Sequence, residues 1–117
     1  MSRVAIVARD LIIATRIADA AAAAGHESVR VDSPAALPPA ESVGIAFVDW
    51  GSREPDWGDL LAGWCAHAPV SQRPRLVVFG PHTDLAAHAA ARAAGIGPML
   101  ARSKLVADLR ALRDRLD

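Results

Sequence analysis

Three short apolar runs punctuate the chain: Val4–Val7 (VAIV), Val43–Val48 (VGIAFV) and Leu76–Phe79 (LVVF). Each is too short for a helix and suits a strand buried on both faces. His26–Val31 (HESVRV) alternates weakly and predicts an exposed edge strand, ended by Asp32 and Ser33. Met99–Ala101 predicts a fifth, short strand. Helical patterns fill the intervals. Leu11–Ala24 repeats Ile13, Ile17, Ala20 and Ala24 at helical spacing, with Asp10 to cap it and Gly25 to stop it. A second helix is predicted from Pro55 or Asp56 to Ala68, ended by Pro69. A third, rich in alanine, starts from Thr83 or Asp84, runs to Ala94 and stops at Gly95. Ser103 caps the last, in which Leu105, Leu109, Leu112 and Leu116 make one apolar stripe. Between the second and third strands stands SPAALPPAES. Pro38 and Pro39 forbid a long helix there and leave at most one turn, about Pro34–Leu37.

Strand and helix therefore alternate along the chain, which predicts an α/β fold: a doubly wound parallel sheet of five strands with right-handed crossovers. The expected order is the flavodoxin-like 2-1-3-4-5, with the second helix truncated and residues 1–117 forming one domain. Ligands and chemistry in such sheets gather at the carboxyl ends of the strands. That edge carries Ala8, Arg9 and Asp10, then Asp49 and Trp50, then Phe79 and Gly80, then Arg102 and Ser103.

Composition narrows the function classes. Formal net charge is zero, which argues against a nucleic-acid partner. Cys65 is the single cysteine, so no intrachain disulfide or cysteine metal framework can form, and a structural thiol on a helix is expected. MSRVAIVARD lacks a signal-peptide layout, because Arg9 and Asp10 break its short apolar run. No stretch approaches the ~20 apolar residues that span a bilayer. A soluble, cytoplasmic protein with no membrane partner is expected.

Asp49 is the most suggestive single residue, a carboxylate placed directly after a central apolar strand. Its alternative role is to cap nearby backbone N–H groups. With this placement, the element order and the length, nearly the whole chain resembles the receiver (CheY-like) domain of bacterial response regulators. The resemblance implies that Asp49 occupies the phospho-acceptor position. In that family an acidic pair after the first strand joins this aspartate to bind Mg²⁺, which neutralises charge during phosphoryl transfer. A Ser or Thr ends the fourth strand, and Lys–Pro ends the fifth. Here the acidic pair falls on Ala8 and Arg9, or on Arg9 and Asp10. The hydroxyl falls on Phe79 or Gly80, the lysine on Arg102 and the proline on Ser103. The resemblance is thus to an atypical receiver, a pseudo-receiver with a degenerate acidic pocket. Arg9 or Arg102 is expected to pair with Asp49 in place of the ion. Asp10 is read first as a helix cap.

Trp50, Trp57 and Trp64 concentrate the scarce aromatics. Core packing is one role for them, and an exposed interaction surface is the other. Gly58 and Gly63 lie on the same helix and would allow a close approach. His26, His67, His82 and His88 lack zinc-ligand spacing, although His82 lies near the carboxyl edge. GxGxxG after the first strand, GxxxxGK[ST] and GxSxG are all absent. RAAGIG (Arg92–Gly97) reads as a helix stop and a tight turn, and Arg110–Asp114 and Arg113–Asp117 as a solvated helix face.

The leading expectation is a stand-alone, non-enzymatic signalling module that needs no cofactor and binds a protein partner without phosphorylation. A homodimer through Ala86–Ala94 and Lys104–Leu116, the last two helices, is one such contact. One alternative is a phosphorylatable receiver in which Asp49 and Asp10 suffice for Mg²⁺. Another is a small-ligand protein of flavodoxin-like architecture with a pocket at Asp49, Trp50 and Gly80.

Overall fold

The apolar runs become strands of a single parallel sheet. In the computed structural model, which describes residues 3–110, β1 is Arg3–Val7, β2 Ser28–Val31, β3 Val43–Asp49, β4 Arg75–Gly80 and β5 Leu100–Ala101. They lie in the order β2-β1-β3-β4-β5, as expected for a doubly wound fold. Four α-helices fall among the described residues: α1 (Leu11–Ala23), α2 (Trp57–His67), α3 (Leu85–Ala93) and α4 (Arg102–Arg110). Leu112 and Leu116 of the expected stripe, and the pairs Arg110–Asp114 and Arg113–Asp117, lie outside the described residues.

Local chemistry sets most helix ends. Asp10 Oδ1 accepts from the backbone N–H of Ile12 at 2.9 Å, and Asp84 Oδ1 from that of Ala87 at 3.0 Å. At the other end, α1 closes on Gly25 (φ +83°) and α3 on Gly95 (φ +75°). Both use the same paired bonds: Gly25 to Ala22 with His26 to Ala21, and Gly95 to Arg92 with Ile96 to Ala91. Ser103 is not the expected cap. The helix starts one residue earlier, at Arg102, and Ser103 lies inside its first turn. β2 starts at Ser28 rather than His26, because its register with β1 begins at Val4 opposite Ser28. Between β2 and β3 the two prolines leave only single 3₁₀ turns, at Pro34–Ala36 and Ala40–Ser42.

The pleat sorts the strand residues onto two faces. Val4, Ile6, Ile45, Phe47, Val77 and Phe79 pack against Ala14, Ile17 and Ala21 of α1 and Leu105 of α4. Val7, Val48 and Val78 pack on the other face with Leu61 of α2, Ala87 and Ala91 of α3, and Met99. Trp50 and Trp57 belong to this second cluster, so the interaction-surface reading of these two is corrected. Trp57 turns toward the sheet in the first turn of α2. Trp50 buries its ring, and its Nε1 donates to the Ala87 carbonyl at 2.9 Å, which satisfies its polar end. Trp64 is only half-buried, and its Nε1 donates to the Pro38 carbonyl at 2.7 Å.

Gly58 and Gly63 occupy the same helix but differ in their surroundings. A Cβ on Gly58 would stand 2.8 Å from Cβ of Ala94, closer than packing allows, whereas one on Gly63 would meet nothing within 4 Å. Gly63→Ala is therefore expected to stabilise by about 0.5–1 kcal/mol through helix propensity. Gly58→Ala is expected to destabilise by about 1–2 kcal/mol through overpacking against α3. Urea denaturation measures both, and equal effects would contradict the close approach of α2 to α3.

Candidate functional site

Alternation along β3 places Asp49 on the same face as Ile45 and Phe47, the face that α4 covers. Its register partner on β4 is Phe79. Its carboxylate is fully enclosed, at 0% exposure. Two groups reach it. Ser52 Oγ donates to Oδ2 at 3.2 Å, and Arg102 Nη2 stands 3.5 Å from Oδ1. Ser52 comes from the 3₁₀ turn Trp50–Ser52 and Arg102 from the start of α4, so two segments converge on the side chain that ends β3.

Of the two arginines expected at Asp49, Arg102 reaches it and Arg9 does not. Arg9 Nη2 pairs with Glu54 Oε1 at 3.1 Å, and its guanidinium lies 5.8 Å from the ring centroid of Trp57. Both partners of that pair are about half exposed. Asp10 stands beside Arg9, with one carboxylate oxygen engaged in the α1 cap. Among the described residues no three His, Cys, Asp or Glu side chains come together as a metal seat.

The two positions at the end of β4 carry no hydroxyl, for different reasons. Phe79 is fully buried and fills the core beneath α1 and α4. Gly80 is closely packed: a Cβ there would stand 2.9 Å from Met99 Sδ and 3.3 Å from the backbone N of Gly51, so a side chain would displace the methionine and press on the Gly51 backbone. The hydroxyl that does meet Asp49 is Ser52, which sequence reasoning did not single out. Its signal was the three-residue spacing from Asp49 within a turn-forming Gly–Ser pair. Glu54 was missed as well, and no local pattern links it to Arg9 across 45 residues.

The other candidate groups lie elsewhere. His88 Nε2 is 3.1 Å from the His82 carbonyl in the loop before α3. His67 ends α2, at the opposite end of that helix from Trp57. Cys65 is half-buried on α2. Burial pushes its thiol above the ordinary cysteine value, and the Arg73 guanidinium partly offsets this. A raised thiol is a poor nucleophile at neutral pH. Alkylation of Cys65 by iodoacetamide is accordingly expected to be slow at neutral pH and to accelerate only in the alkaline range. Arg73→Ala should push that onset higher still, and a reactive thiolate at neutral pH would contradict the burial effect.

No protein-family model matches the chain, and no curated protein matches it in sequence. Solved structures do. It is similar to a response regulator receiver domain protein (CheY-like) from Methanospirillum hungatei JF-1, with TM-score 0.70 and 15% identity over 99% of this chain and 96% of that one. A response regulator receiver protein from Burkholderia phymatum superposes with TM-score 0.67 and 15% identity, over 99% and 95% of the two chains. A putative pilus assembly-related protein from Burkholderia pseudomallei K96243 does so with TM-score 0.65 and 15% identity, over 99% and 87%. The fold is that of the receiver domains.

The pair formed by Asp49 and Arg102 is asymmetric, because the carboxylate is enclosed while the arginine is 48% exposed. Removing the cation leaves a buried charge with only Ser52 to answer it, which is costly. Arg102→Ala is expected to destabilise by about 1–3 kcal/mol. In Asp49→Asn the amide keeps an acceptor for Ser52 and carries no charge, so stability at neutral pH should be unchanged or higher. Denaturant midpoints for the two variants and their double variant decide this, and a large loss on Asp49→Asn would contradict it.

Proposed function

We propose that residues 1–117 form a single receiver-like signalling domain that acts through phosphorylation-independent contact with a protein partner. The observation that carries this reading is the enclosure of Asp49, with Arg102 and Ser52 on its two oxygens. A phosphorylatable aspartate must meet a phosphodonor and a cation. This one meets neither solvent nor a second free carboxylate. Mg²⁺ seeks several oxygen ligands in near-octahedral array. The groups here do not fit it, since Arg102 supplies positive charge at the carboxylate, Arg9 stands where an acid is needed, and Asp10 caps α1. Phe79 and Gly80 cannot offer the hydroxyl that would read a phosphoryl group.

The wider reading follows from this one. On this reading the domain serves as a signalling module and not as an enzyme. No helix among the described residues is long and apolar enough to cross a membrane, which agrees with a place in the cytoplasm. Self-association through α3 and α4 belongs to the same reading. It draws support from α3, which turns Leu85, Ala86, Ala89 and Ala93 to solvent.

The competing reading keeps Asp49 as a phospho-acceptor with Asp10 as its only acidic helper. Incubation with Mg²⁺ and a small acyl phosphate, followed by intact mass, separates the two. No stable gain is expected. A gain of about 80 Da, one phosphoryl group, that vanishes in Asp49→Asn would overturn the proposal.

A further inference from the structure

Where Pro38 and Pro39 replace a helix by two 3₁₀ turns, the outer face of α2 is left partly uncovered. A groove of ≈ 620 Å³ runs between those turns and α2. Leu37, Pro38, Leu60 and Trp64 line it with apolar surface. Leu60 leaves 37% of its surface exposed beside Trp64, so the two add to one apolar patch in the groove. The Trp64 indole is held from behind, because its Nε1 donates to the Pro38 carbonyl. Its polar edge is satisfied, and the ring is oriented before any partner arrives. Gly63 adds room, since nothing lies within 4 Å of where its Cβ would be.

Charge decides what fits this groove. Glu41 and Asp59 stand in its lining together with His67, and no lysine or arginine does. Neither carboxylate enters a salt bridge among the described residues. In a chain of zero net charge this is a local negative rim around an apolar slot. Such a rim repels nucleic acid and anionic lipid, and it attracts cations. We propose that the groove docks a short segment of a partner protein, in which an apolar anchor residue is flanked by lysine or arginine. The anchor would lie against Trp64 and Leu60 in the space above Gly63, and the flanking cations would meet Glu41 and Asp59. The proposal rests on the reading of this domain as a protein-binding module, but it makes no use of Asp49.

The probe is a synthetic peptide of roughly ten residues built from leucine and lysine, the length of a short groove-binding segment. Two matched controls replace its lysines by glutamate or its leucines by serine. Each is titrated into the isotope-labelled protein while backbone amide shifts are followed. The Leu–Lys peptide is expected to saturate shifts at residues 37–41 and 59–67. Both controls should bind about tenfold more weakly, and added salt should weaken the Leu–Lys peptide. Gly63→Trp fills the groove from an exposed helical position, and it should lower affinity about tenfold while leaving the chain at least as stable as the native one. Leu60→Ser gives a second reading at an exposed position, with a loss of several-fold expected. The double variant Glu41→Lys, Asp59→Lys should reverse the preference between lysine and glutamate peptides. Equal binding of those peptides, shifts confined to another surface, no saturable binding, or unchanged affinity in both groove variants would overturn the proposal. Those results would leave the signalling reading standing if Asp49 stays unphosphorylated. Conversely, phosphoryl uptake by Asp49 would sink that reading and leave the groove measurement intact.

Discussion

The carboxylate of Asp49 has no water to answer its charge. Fully enclosed at the end of a central strand, it must be compensated by protein groups or carry a desolvation cost of several kcal/mol. The compensation comes from Arg102 and Ser52, and it ties the end of β3 to the following turn and to the start of α4. The rest of the carboxyl edge is shaped around that tie. Gly51 approaches Gly80 closely enough that a Cβ at position 80 would press on its backbone N at 3.3 Å, and Met99 closes the same space from beyond α3. Phe79 completes the enclosure from β4, opposite Asp49 in the register. An edge that opens to solvent in many doubly wound sheets is here filled by side chains.

Arginine placement shows how small differences decide such a site. Arg9 follows β1 and could serve the same carboxylate, yet it settles on Glu54 and the Trp57 ring. An exposed ion pair contributes about 0–1 kcal/mol and an exposed cation–π contact about 0.5–1 kcal/mol. Together these are modest, but they require no dehydration of the guanidinium. Arg102 reaches Asp49 at 3.5 Å, a long contact, with half its side chain in water. It thereby offsets the buried charge without being fully buried itself. Charge compensation at this edge is enough to hold a geometry and too long to be a strong bond.

What sequence reveals here is what the chain decides locally. Strand runs, the caps at Asp10 and Asp84 and the stops at Gly25 and Gly95 depend on residues within a turn of one another. The sheet order follows from alternation and right-handed crossovers, so it too was legible. The position of Asp49 was legible for the same reason, being the last residue of an apolar run. Its partners were legible only in part. Arg102 stood out because it ends the fifth strand, whereas Ser52 was hidden in a loop and Glu54 pairs with a residue 45 positions away. The start of α4 slipped by two residues because Ser103 looked like a cap, which would begin the helix at Lys104, while the chain was already helical at Arg102.

The tryptophans were ambiguous because their burial depends on volume supplied by other elements. α1 and α3 offer mostly alanine to the sheet: Ala14 and Ala21 on one face, Ala87 and Ala91 on the other. Interiors pack to uniform density, so small helix faces need large residues opposite them. Trp50 and Trp57 supply that volume on the face that α2 and α3 cover. The short connection at Pro38–Pro39 makes the same demand lower on this face. There Leu37 of the connection and Trp64 of α2, with Val29 and Leu76, cover Ala5, Val43 and Ala46. Trp64 is only half-buried, and its remaining surface lines the groove. The prolines that keep this connection to two short turns therefore also leave one tryptophan of the three partly exposed.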